Sequence, residues 1–310
     1  MDRSVPAGMP LEEVHLLLTY RCLYVCPHCF VHSGPDKPGA LTTQEVEGLV
    51  KQVAALGGVA RIYFEGGEPA LHFPTLLAGV RAVARLGMEP AMVTCGYFAT
   101  NPVEGELWLR PLVEAGLRRL EVSIDELHGK GEAHNHARNL VKAARAVGLQ
   151  VAVLSACRPG DATGVASGAV PILLRGRAAQ ECVEGLELRP WDAFDECSDE
   201  ELESPRRVHI DAYGHVHVCQ GLLAGNVWDS SLAQVVGGYD PRSHAVIGPL
   251  LEGGPAALFR SWLPGSTARY ASACHACYDA RRQLRLRLPR HLGPAQVYGE
   301  PPDPPPDSYD

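Results

Sequence analysis

The sequence lacks both a long hydrophobic run and an excess of positive charge. No eighteen consecutive apolar residues occur anywhere in its 310 residues, so no membrane-spanning helix is expected. Its 28 lysines and arginines are outnumbered by 36 aspartates and glutamates, which gives a formal net charge of -8. This is not the broad basic surface that non-specific nucleic-acid binding requires. Neither a membrane nor a nucleic acid is therefore expected as a partner.

An export signal and a disulfide framework are also missing. Residues 1–6 show no charged region followed by an apolar segment. Ten cysteines in a chain of this length fall well short of the density of a small disulfide scaffold. We therefore expect a cytoplasmic protein, in which cysteines at short spacings hold metal or do redox chemistry more often than they form disulfides.

Short apolar runs alternate with helical patterns from about residue 12, as in a parallel α/β fold. The predicted strands are 14–19, 61–65, 90–94, 120–124 and 150–155. The predicted helices run from Thr42 or Thr43 to Gly57 and over 73–86, 103–116 and 134–147. A possible sixth strand at 171–174 follows a link that is too short for a helix with its loops.

The composition changes after about residue 178. Residues 208–219 have the pattern of two short strands around a turn that contains Gly214. The last nineteen residues are rich in proline and aspartate, which predicts an extended, solvated tail. The expected domains are therefore 1–178, 179–291 and a tail at 292–310.

Three cysteines follow the first predicted strand directly, as Cys22, Cys26 and Cys29. A structural zinc site is normally closed by four ligands, whereas an iron–sulfur cluster held by three cysteines leaves one iron open to a substrate or cofactor. The number three therefore favours a cluster. A zinc site completed by His28 or His32 is the alternative.

This CxxxCxxC pattern, with His28 before its last cysteine, resembles the signature of the radical S-adenosylmethionine (SAM) superfamily. Gly66-Gly67-Glu68-Pro69, at the end of the second strand, resembles the GGEP motif of that superfamily. The resemblance implies an α/β fold with a partial (β/α)6 TIM-like barrel. It also implies a 4Fe-4S cluster on the three cysteines whose open iron chelates SAM. Such enzymes cleave SAM reductively to a 5′-deoxyadenosyl radical, which abstracts hydrogen from a substrate.

The resemblance further implies which residues contact SAM. The glycines let backbone approach the cofactor, and the Glu68 carboxylate would hold its ammonium group. Ser123 and Asp125 would contact its ribose or methionine part, although a helix N-cap is an equally good interpretation. Arg177 would lie near the adenine. The expected cofactor-binding residues are His28, Gly66, Gly67, Glu68, Pro69, Ser123, Asp125 and Arg177.

Cys95, at the end of the third strand, is a departure, because similar sequences commonly carry Asn-Gly there. Its thiol either fills the space beside SAM or, as a catalytic residue, gives a hydrogen atom to a substrate radical. The second role is the step that lets a radical epimerase finish without net oxidation.

The later cysteines resemble the auxiliary-cluster domain called twitch, a relative of SPASM. This implies a small α+β domain with a second 4Fe-4S cluster, whose ligands are Cys197, Cys219, Cys274 and Cys277. Cys182 is the alternative to Cys197 as a ligand, because both residues precede the hairpin. A zinc site remains the alternative, since His215 and His217 fall on the Cys219 face of one strand.

Auxiliary clusters of this kind often conduct electrons in net oxidations. We therefore expect a radical SAM oxidoreductase that acts on a peptide or a small molecule. Only about twenty residues precede the first cysteine, so a peptide substrate would need a separate leader-peptide-binding protein. The resemblance also implies a flavodoxin or ferredoxin electron donor. A non-catalytic iron–sulfur or zinc-binding protein is the alternative class.

A basic stretch follows the last cysteine pair. We expect a solvated helix face there, or less commonly a docking surface for the acidic electron donor. Its residues are Arg281, Arg282, Arg285, Arg287 and Arg290.

Overall fold

The computed structural model describes residues 8–129 and 131–301, which form a mixed α/β protein. The longer strands are β1 (Glu13–Leu17), β2 (Arg61–Glu65), β3 (Glu89–Thr94), β4 (Arg119–Ser123), β5 (Gln150–Leu154), β9 (Arg207–Ile210), β10 (His215–Cys219) and β11 (Leu222–Asn226). Four two-residue strands are β6 (Ala156–Cys157), β7 (Val170–Pro171), β8 (Arg189–Pro190) and β12 (Arg269–Tyr270).

The α-helices are α1 (Thr43–Leu56), α2 (Phe73–Arg85), α3 (Pro102–Ala115), α4 (Glu132–Ala146), α5 (Ala162–Ala166), α6 (Ala178–Glu181), α7 (Leu232–Gly237), α8 (Ile247–Trp262) and α9 (Ala273–Leu284). Short 3-10 helices lie at Pro69–His72, Trp191–Ala193, Arg285–Arg287 and Ala295–Tyr298. The five predicted strands and four predicted helices before residue 155 are confirmed to within about two residues.

One eight-stranded sheet organises the chain, in the order β11-β10-β9-β1-β2-β3-β4-β5. From β9 to β5 its strands run parallel, and β10 and β11 extend it as an antiparallel hairpin. Val14, Leu16, Ile62 and Phe64 are fully buried in the core shared with the helices. Because side chains alternate along a strand, the residues between them face the inside of the curved sheet.

The predicted sixth strand at 171–174 is reduced to β7, of which only Pro171 falls in that range. β7 pairs in parallel with β6, just after β5, in a separate two-stranded sheet. The main sheet gains its sixth parallel strand on the other side, where β9 lies beside β1. The side chain environments explain this: Val170 is 68% exposed, whereas Val208 and Ile210 are completely buried. The predicted hairpin therefore continues the barrel sheet.

The predicted solvated tail is also wrong for residues 292–299. The 3-10 helix Ala295–Tyr298 is buried along its length. Tyr298 Oη donates to the carbonyl oxygen of Gly221 at 2.7 Å, and the Gln296 amide donates to the carbonyl of His32 at 2.8 Å. This segment thus packs against the loop that carries the first three cysteines. Residues 302–310, which hold most of the proline-rich run, lie outside the described residues.

The two valines provide a matched test of which strand completes the sheet. We expect Val208→Ala to lower the free energy of unfolding by about 2 kcal/mol, because two buried methyl groups are lost and a cavity is left. Val170→Ala should change it by less than about 0.5 kcal/mol, as for other exposed side chains. Urea denaturation measures both, and equal losses would contradict this sheet order.

Candidate active site

Cys22, Cys26 and Cys29 lie in the loop that follows β1. Backbone N–H groups point at two of the sulfur atoms, Tyr24 to Cys22 Sγ at 3.5 Å and Ser33 to Cys29 Sγ at 3.2 Å. Burial raises the pKa of Cys22 to about 11 and that of Cys26 to about 12. Thiols in this environment stay protonated unless a metal binds them, since a coordinating thiol is deprotonated.

The spacing of these thiols bears on the choice between zinc and a cluster. Three groups of side chains among the described residues bring their ligand atoms within 4.8 Å of one another, and none of these groups contains a cysteine. The sulfur atoms of Cys22, Cys26 and Cys29 are therefore not all within this distance of one another. A tetrahedral zinc ion with bonds to sulfur of 2.3 Å would bring its ligands to about 3.8 Å from each other. His32, one proposed fourth zinc ligand, has its Nε2 3.0 Å from Tyr278 Oη. The residues present thus fit a polynuclear cluster better than zinc.

Gly66 and Gly67 press the end of β2 against the start of the cysteine loop. The Gly67 N–H donates to the Thr19 carbonyl at 2.6 Å, and the Glu68 N–H donates to the Arg21 carbonyl at 2.9 Å. A Cβ atom on Gly67 would lie 2.0 Å from the Arg21 carbonyl oxygen. Only glycine allows this approach, so the motif joins the two segments that sequence analysis singled out.

The Glu68 carboxylate is used within the protein. It accepts hydrogen bonds from Thr94 Oγ1 at 2.7 Å, from the Cys95 N–H at 2.9 Å and from the Ala70 N–H at 3.1 Å. Glu68 is only 1% exposed, and burial raises its pKa. The carboxylate thereby fixes the end of β3, and its expected contact with the SAM ammonium stays a prediction. Pro69, also expected near SAM, begins the 3-10 helix after it.

A cavity of about 130 Å³ lies at the carboxyl ends of β1 to β4, the edge at which sites of α/β barrels assemble. It brings together many of the residues singled out from the sequence. Its lining includes Cys22, Cys26, His28, Cys29, Gly66, Gly67, Cys95 and Ser123. The Cys95 thiol is buried beside Glu68, and burial raises its pKa well above the ordinary value.

His28 and Asp125 lie together beside this cavity. The His28 ring packs edge-on against His128, with ring centres 4.3 Å apart, and burial lowers the pKa of His28 to about 4. The Asp125 carboxylate accepts from the backbone N–H groups of Leu127, His128 and Ala156, each at 2.9 Å. Asp125 therefore caps the turn after β4. It is not a helix N-cap, because α4 begins at Glu132 with Gly131 as its N-cap, and its contact with SAM stays a prediction.

Arg177 holds the cysteine loop in place. Its guanidinium donates to the Cys26 carbonyl and, at 2.7 Å, to the Ser33 carbonyl, and its backbone N–H donates to the Cys29 carbonyl at 2.9 Å. Arg177 is buried. All three contacts link Arg177 to the protein backbone, and its place near the adenine stays a prediction.

The other expected cysteine set also comes together in the fold. Burial raises the pKa of Cys197 to about 12, with a further rise from the neighbouring Cys277 and Cys219. Burial also raises the pKa of Cys274, and Cys219 contributes to that rise as well. Cys182 lies elsewhere, with its Sγ 3.6 Å from the Pro27 carbonyl oxygen. Of the two alternatives, the geometry therefore favours Cys197.

Two arginines lie beside these four thiols. Arg175 Nη1 donates to Cys219 Sγ at 3.3 Å and also pairs with Glu200. Arg281 is 1% exposed and donates to the carbonyls of Gln220 and Cys277. The prediction that the basic stretch is a solvated helix face is therefore wrong for Arg281. It is also wrong for Arg285, which is buried and pairs with Glu300 at 2.7 Å.

His215 and His217, which were alternative zinc ligands, bind Asp211 instead. His215 Nδ1 and His217 Nε2 each lie 3.1 Å from Asp211 Oδ2, which also accepts from Tyr20 Oη at 2.8 Å. The remaining His217 nitrogen accepts from the Gly221 N–H at 3.0 Å. These rings thus stabilise the hairpin turn.

The inner face of the sheet carries polar side chains that were not predicted from the sequence. Tyr63 Oη donates to Glu121 Oε1 at 3.0 Å, and His15, Glu65 and His209 form a second group nearby. The available signal was a polar residue at alternate positions of each otherwise apolar strand.

Comparison with known proteins finds a family model and several relatives that parts of this chain resemble. Residues 16–160 match the family model of the Radical SAM superfamily. The chain is 31% identical over 164 residues to GTP 3′,8-cyclase of Streptomyces coelicolor, covering 49% of this chain and 47% of that protein. It is 30% identical over 196 residues to PqqA peptide cyclase of Xanthomonas axonopodis pv. citri, covering 59% and 49%. The chain thus spans about half the length of these two relatives.

A solved structure resembles more of the chain than the family match covers. The crystal structure of BtrN in complex with AdoMet and 2-DOIA superposes with a TM-score of 0.54 at 18% identity, over 78% of this chain and 88% of that one. The likeness supports the fold. No helix within 8–129 or 131–301 is both long and apolar enough to cross a lipid bilayer.

The contact between the two motifs can be tested with a pair of glycines. Gly67→Ala should reduce the iron that the Cys22 loop retains after anaerobic reconstitution, because its Cβ would collide with the Arg21 carbonyl. Gly48→Ala, where a Cβ meets nothing within 4 Å, should bind iron as the parent does. Iron analysis and absorption spectra measure both variants. Full iron content in Gly67→Ala would contradict the contact.

Proposed function

Because residues 16–160 match the family model of the Radical SAM superfamily, we propose that the chain is an enzyme that cleaves SAM reductively and oxidises a polar substrate. The proposal depends on one observation: Cys22, Cys26, Cys29 and the two glycines line the same cavity. Enzymes of this superfamily are catalysts, and the family implies a 4Fe-4S cluster and SAM.

The three cysteines would hold the cluster, which supplies the electron that splits SAM into methionine and a 5′-deoxyadenosyl radical. The chain's own residues prepare the site. Arg177 fixes the loop and Glu68 fixes the end of β3. Cys95 and Ser123 line the same cavity and would lie beside the bound SAM.

The fully buried Arg281 supports a second, auxiliary cluster on Cys197, Cys219, Cys274 and Cys277. A buried guanidinium is costly without a negative partner. Its hydrogen-bond acceptors among the described residues are neutral carbonyls, and the strongest electrostatic partners are Cys277 and Cys219. Thiolates bound to a metal would supply the missing negative charge. Such a cluster accepts an electron, which suits a net oxidation of the substrate.

The polar inner face of the sheet favours a small polar molecule as the substrate. A peptide is the other class, and a separate leader-peptide-binding protein would then present it. The one-electron donor is a flavodoxin or ferredoxin. The exposed Arg282, Arg287 and Arg290 are the proposed docking residues, since donors of this kind are acidic.

Iron analysis and SAM cleavage test the proposal together. Anaerobically reconstituted protein should hold about eight irons per chain, and changing Cys22, Cys26 and Cys29 together to Ala should leave about four. Reduced with dithionite, the parent should release 5′-deoxyadenosine from SAM and the triple variant should release none.

Changing Cys219, Cys274 and Cys277 to Ala is the matched comparison. It should also leave about four irons but retain uncoupled SAM cleavage. Cys182→Ala serves as the control and should keep both clusters. SAM cleavage by the Cys22, Cys26 and Cys29 variant would overturn the proposal, and zinc in place of the second iron set would overturn the auxiliary cluster alone.

The position of Cys95 favours a second candidate function, radical epimerisation. Its thiol lies in the cavity beside the cysteine loop, and its raised pKa keeps the S–H bond intact. In this reaction the S–H bond breaks, a C–H bond forms on the substrate radical, and a thiyl radical remains. One electron from the donor protein and one proton from solvent then restore the thiol.

Cys95→Ala distinguishes epimerisation from oxidation once a substrate is known. Under epimerisation the variant keeps substrate-dependent SAM cleavage but loses the normal product, because no hydrogen atom is returned. Product made by the parent in deuterated water would carry one deuterium on carbon, as mass spectrometry measures. Cys157→Ala, a change to a buried cysteine in β6, should leave product formation unchanged. Normal product from Cys95→Ala would exclude the hydrogen-donor role.

A further inference from the structure

Three titratable side chains meet on the inner face of the sheet, outside the two cysteine sets. His15, Glu65 and His209 come from the adjacent strands β1, β2 and β9, and His15 and His209 are paired in the register of the two strands. His15 Nδ1 lies 3.3 Å from Glu65 Oε2, and His209 Nε2 lies 3.2 Å from Glu65 Oε1. The three side chains thus bring ligand atoms within 4.8 Å of one another.

The group is buried and lacks the hydrogen bonds that burial normally requires. His15 and His209 are each 8% exposed. Both ring nitrogens of His15, and Oε1 of Glu65, make no hydrogen bond of good geometry within the described part of the chain, although the Glu65 carboxylate lies at ion-pair distance from both rings. Buried polar atoms without a well-formed hydrogen bond need an explanation in a native structure.

We propose that His15, Glu65 and His209 bind a divalent transition-metal ion, such as zinc or iron(II). Two imidazoles and a carboxylate are a donor set that these ions prefer. Bonds of 2.0–2.1 Å in a tetrahedral arrangement place neighbouring ligand atoms about 3.4 Å apart, close to the 3.2 and 3.3 Å seen here. The ion would also bind Nδ1 of His15, one of its two ring nitrogens without a hydrogen bond, and the Glu65 carboxylate.

The charges around the group agree with cation binding. Burial lowers the pKa of His209 to about 4, so its ring is neutral at pH 7. Burial opposes the ionisation of Glu65, but the two histidines outweigh it and lower the pKa of its carboxyl. Burial lowers the pKa of His15, but Glu65 and Glu13 together raise it by more. A metal ion would therefore have to displace a proton from the His15 ring. Glu13 places a second carboxylate 3.8 Å from His15 Nε2, which also favours a cation. The positive charge of Arg207 acts in the opposite direction.

In the two other groups of this kind among the described residues the carboxylate is already satisfied, although Nδ1 of His28 in one of them has no hydrogen-bond partner. The Asp125 and Asp211 carboxylates each accept several hydrogen bonds from backbone N–H groups and histidine rings. Glu65, by contrast, lines the cavity that also contains the cysteine loop. A metal with three protein ligands keeps an open coordination position. This position would face the cavity and take an oxygen atom of the substrate.

The test uses the full chain with its iron–sulfur sites reconstituted, treated with zinc and then freed of loosely held metal. Metal analysis should find about one zinc per chain, with iron and sulfide unchanged. Zinc should fall to background in Glu65→Gln and in His209→Asn, while both variants keep the iron content of the parent. His291→Asn is the matched control, since His291 also packs against a histidine, His244, with ring centres 4.2 Å apart.

Anomalous diffraction at the zinc edge would then locate the ion between His15, Glu65 and His209. Absence of zinc in the parent, or equal zinc in the parent and Glu65→Gln, would overturn the proposal. The unchanged iron content shows that the variants fold and that zinc has not displaced a cluster. The metal count does not depend on SAM cleavage, so failure here is distinct from failure of the proposed enzyme activity.

Discussion

The active site depends on the close approach of two backbone segments, Gly66-Gly67 after β2 and residues 19–21 after β1. The Gly67 N–H lies 2.6 Å from the Thr19 carbonyl, and no larger residue than glycine fits there. This contact fixes the first residues of the cysteine loop relative to the sheet. Arg177 fixes the other end of the loop by binding the carbonyls of Cys26 and Ser33. The three thiols are therefore positioned by the backbone before any metal binds.

Burial of polar and charged groups gives the site its chemical character. Burial raises the pKa of Cys22 and Cys26 in the first set and of Cys197 and Cys274 in the second, and a buried arginine lies beside each set. Arg281 is the clearest case, because its protein acceptors are neutral carbonyls. The proposed metal clusters would resolve both problems, since a cluster would keep the sulfur atoms anionic without protons and provide negative charge beside the guanidinium. The group of His15, Glu65 and His209 has the opposite need. Its buried nitrogen and oxygen atoms lack a positively charged partner, which the proposed metal ion would provide.

Local patterns in the sequence predicted the strands before residue 155, the cysteine triplet and the glycine motif, because each depends on neighbouring residues alone. The remaining features depend on contacts between distant segments. Arg177 binds a carbonyl 151 residues away, and no local pattern distinguishes that role from a contact with SAM. The segments 171–174 and 208–210 both have the pattern of a short strand, and only packing selects β9 as the neighbour of β1. The group of His15, Glu65 and His209 likewise forms only when three strands pair.

The central claim is that the cluster on Cys22, Cys26 and Cys29 keeps one iron open for SAM. Electron paramagnetic resonance of the reduced protein with SAM labelled with ¹⁷O in its carboxylate tests it most directly. The account predicts a hyperfine coupling between the unpaired spin of the cluster and the labelled oxygen. A fully reconstituted protein that shows no such coupling when saturated with SAM would contradict it.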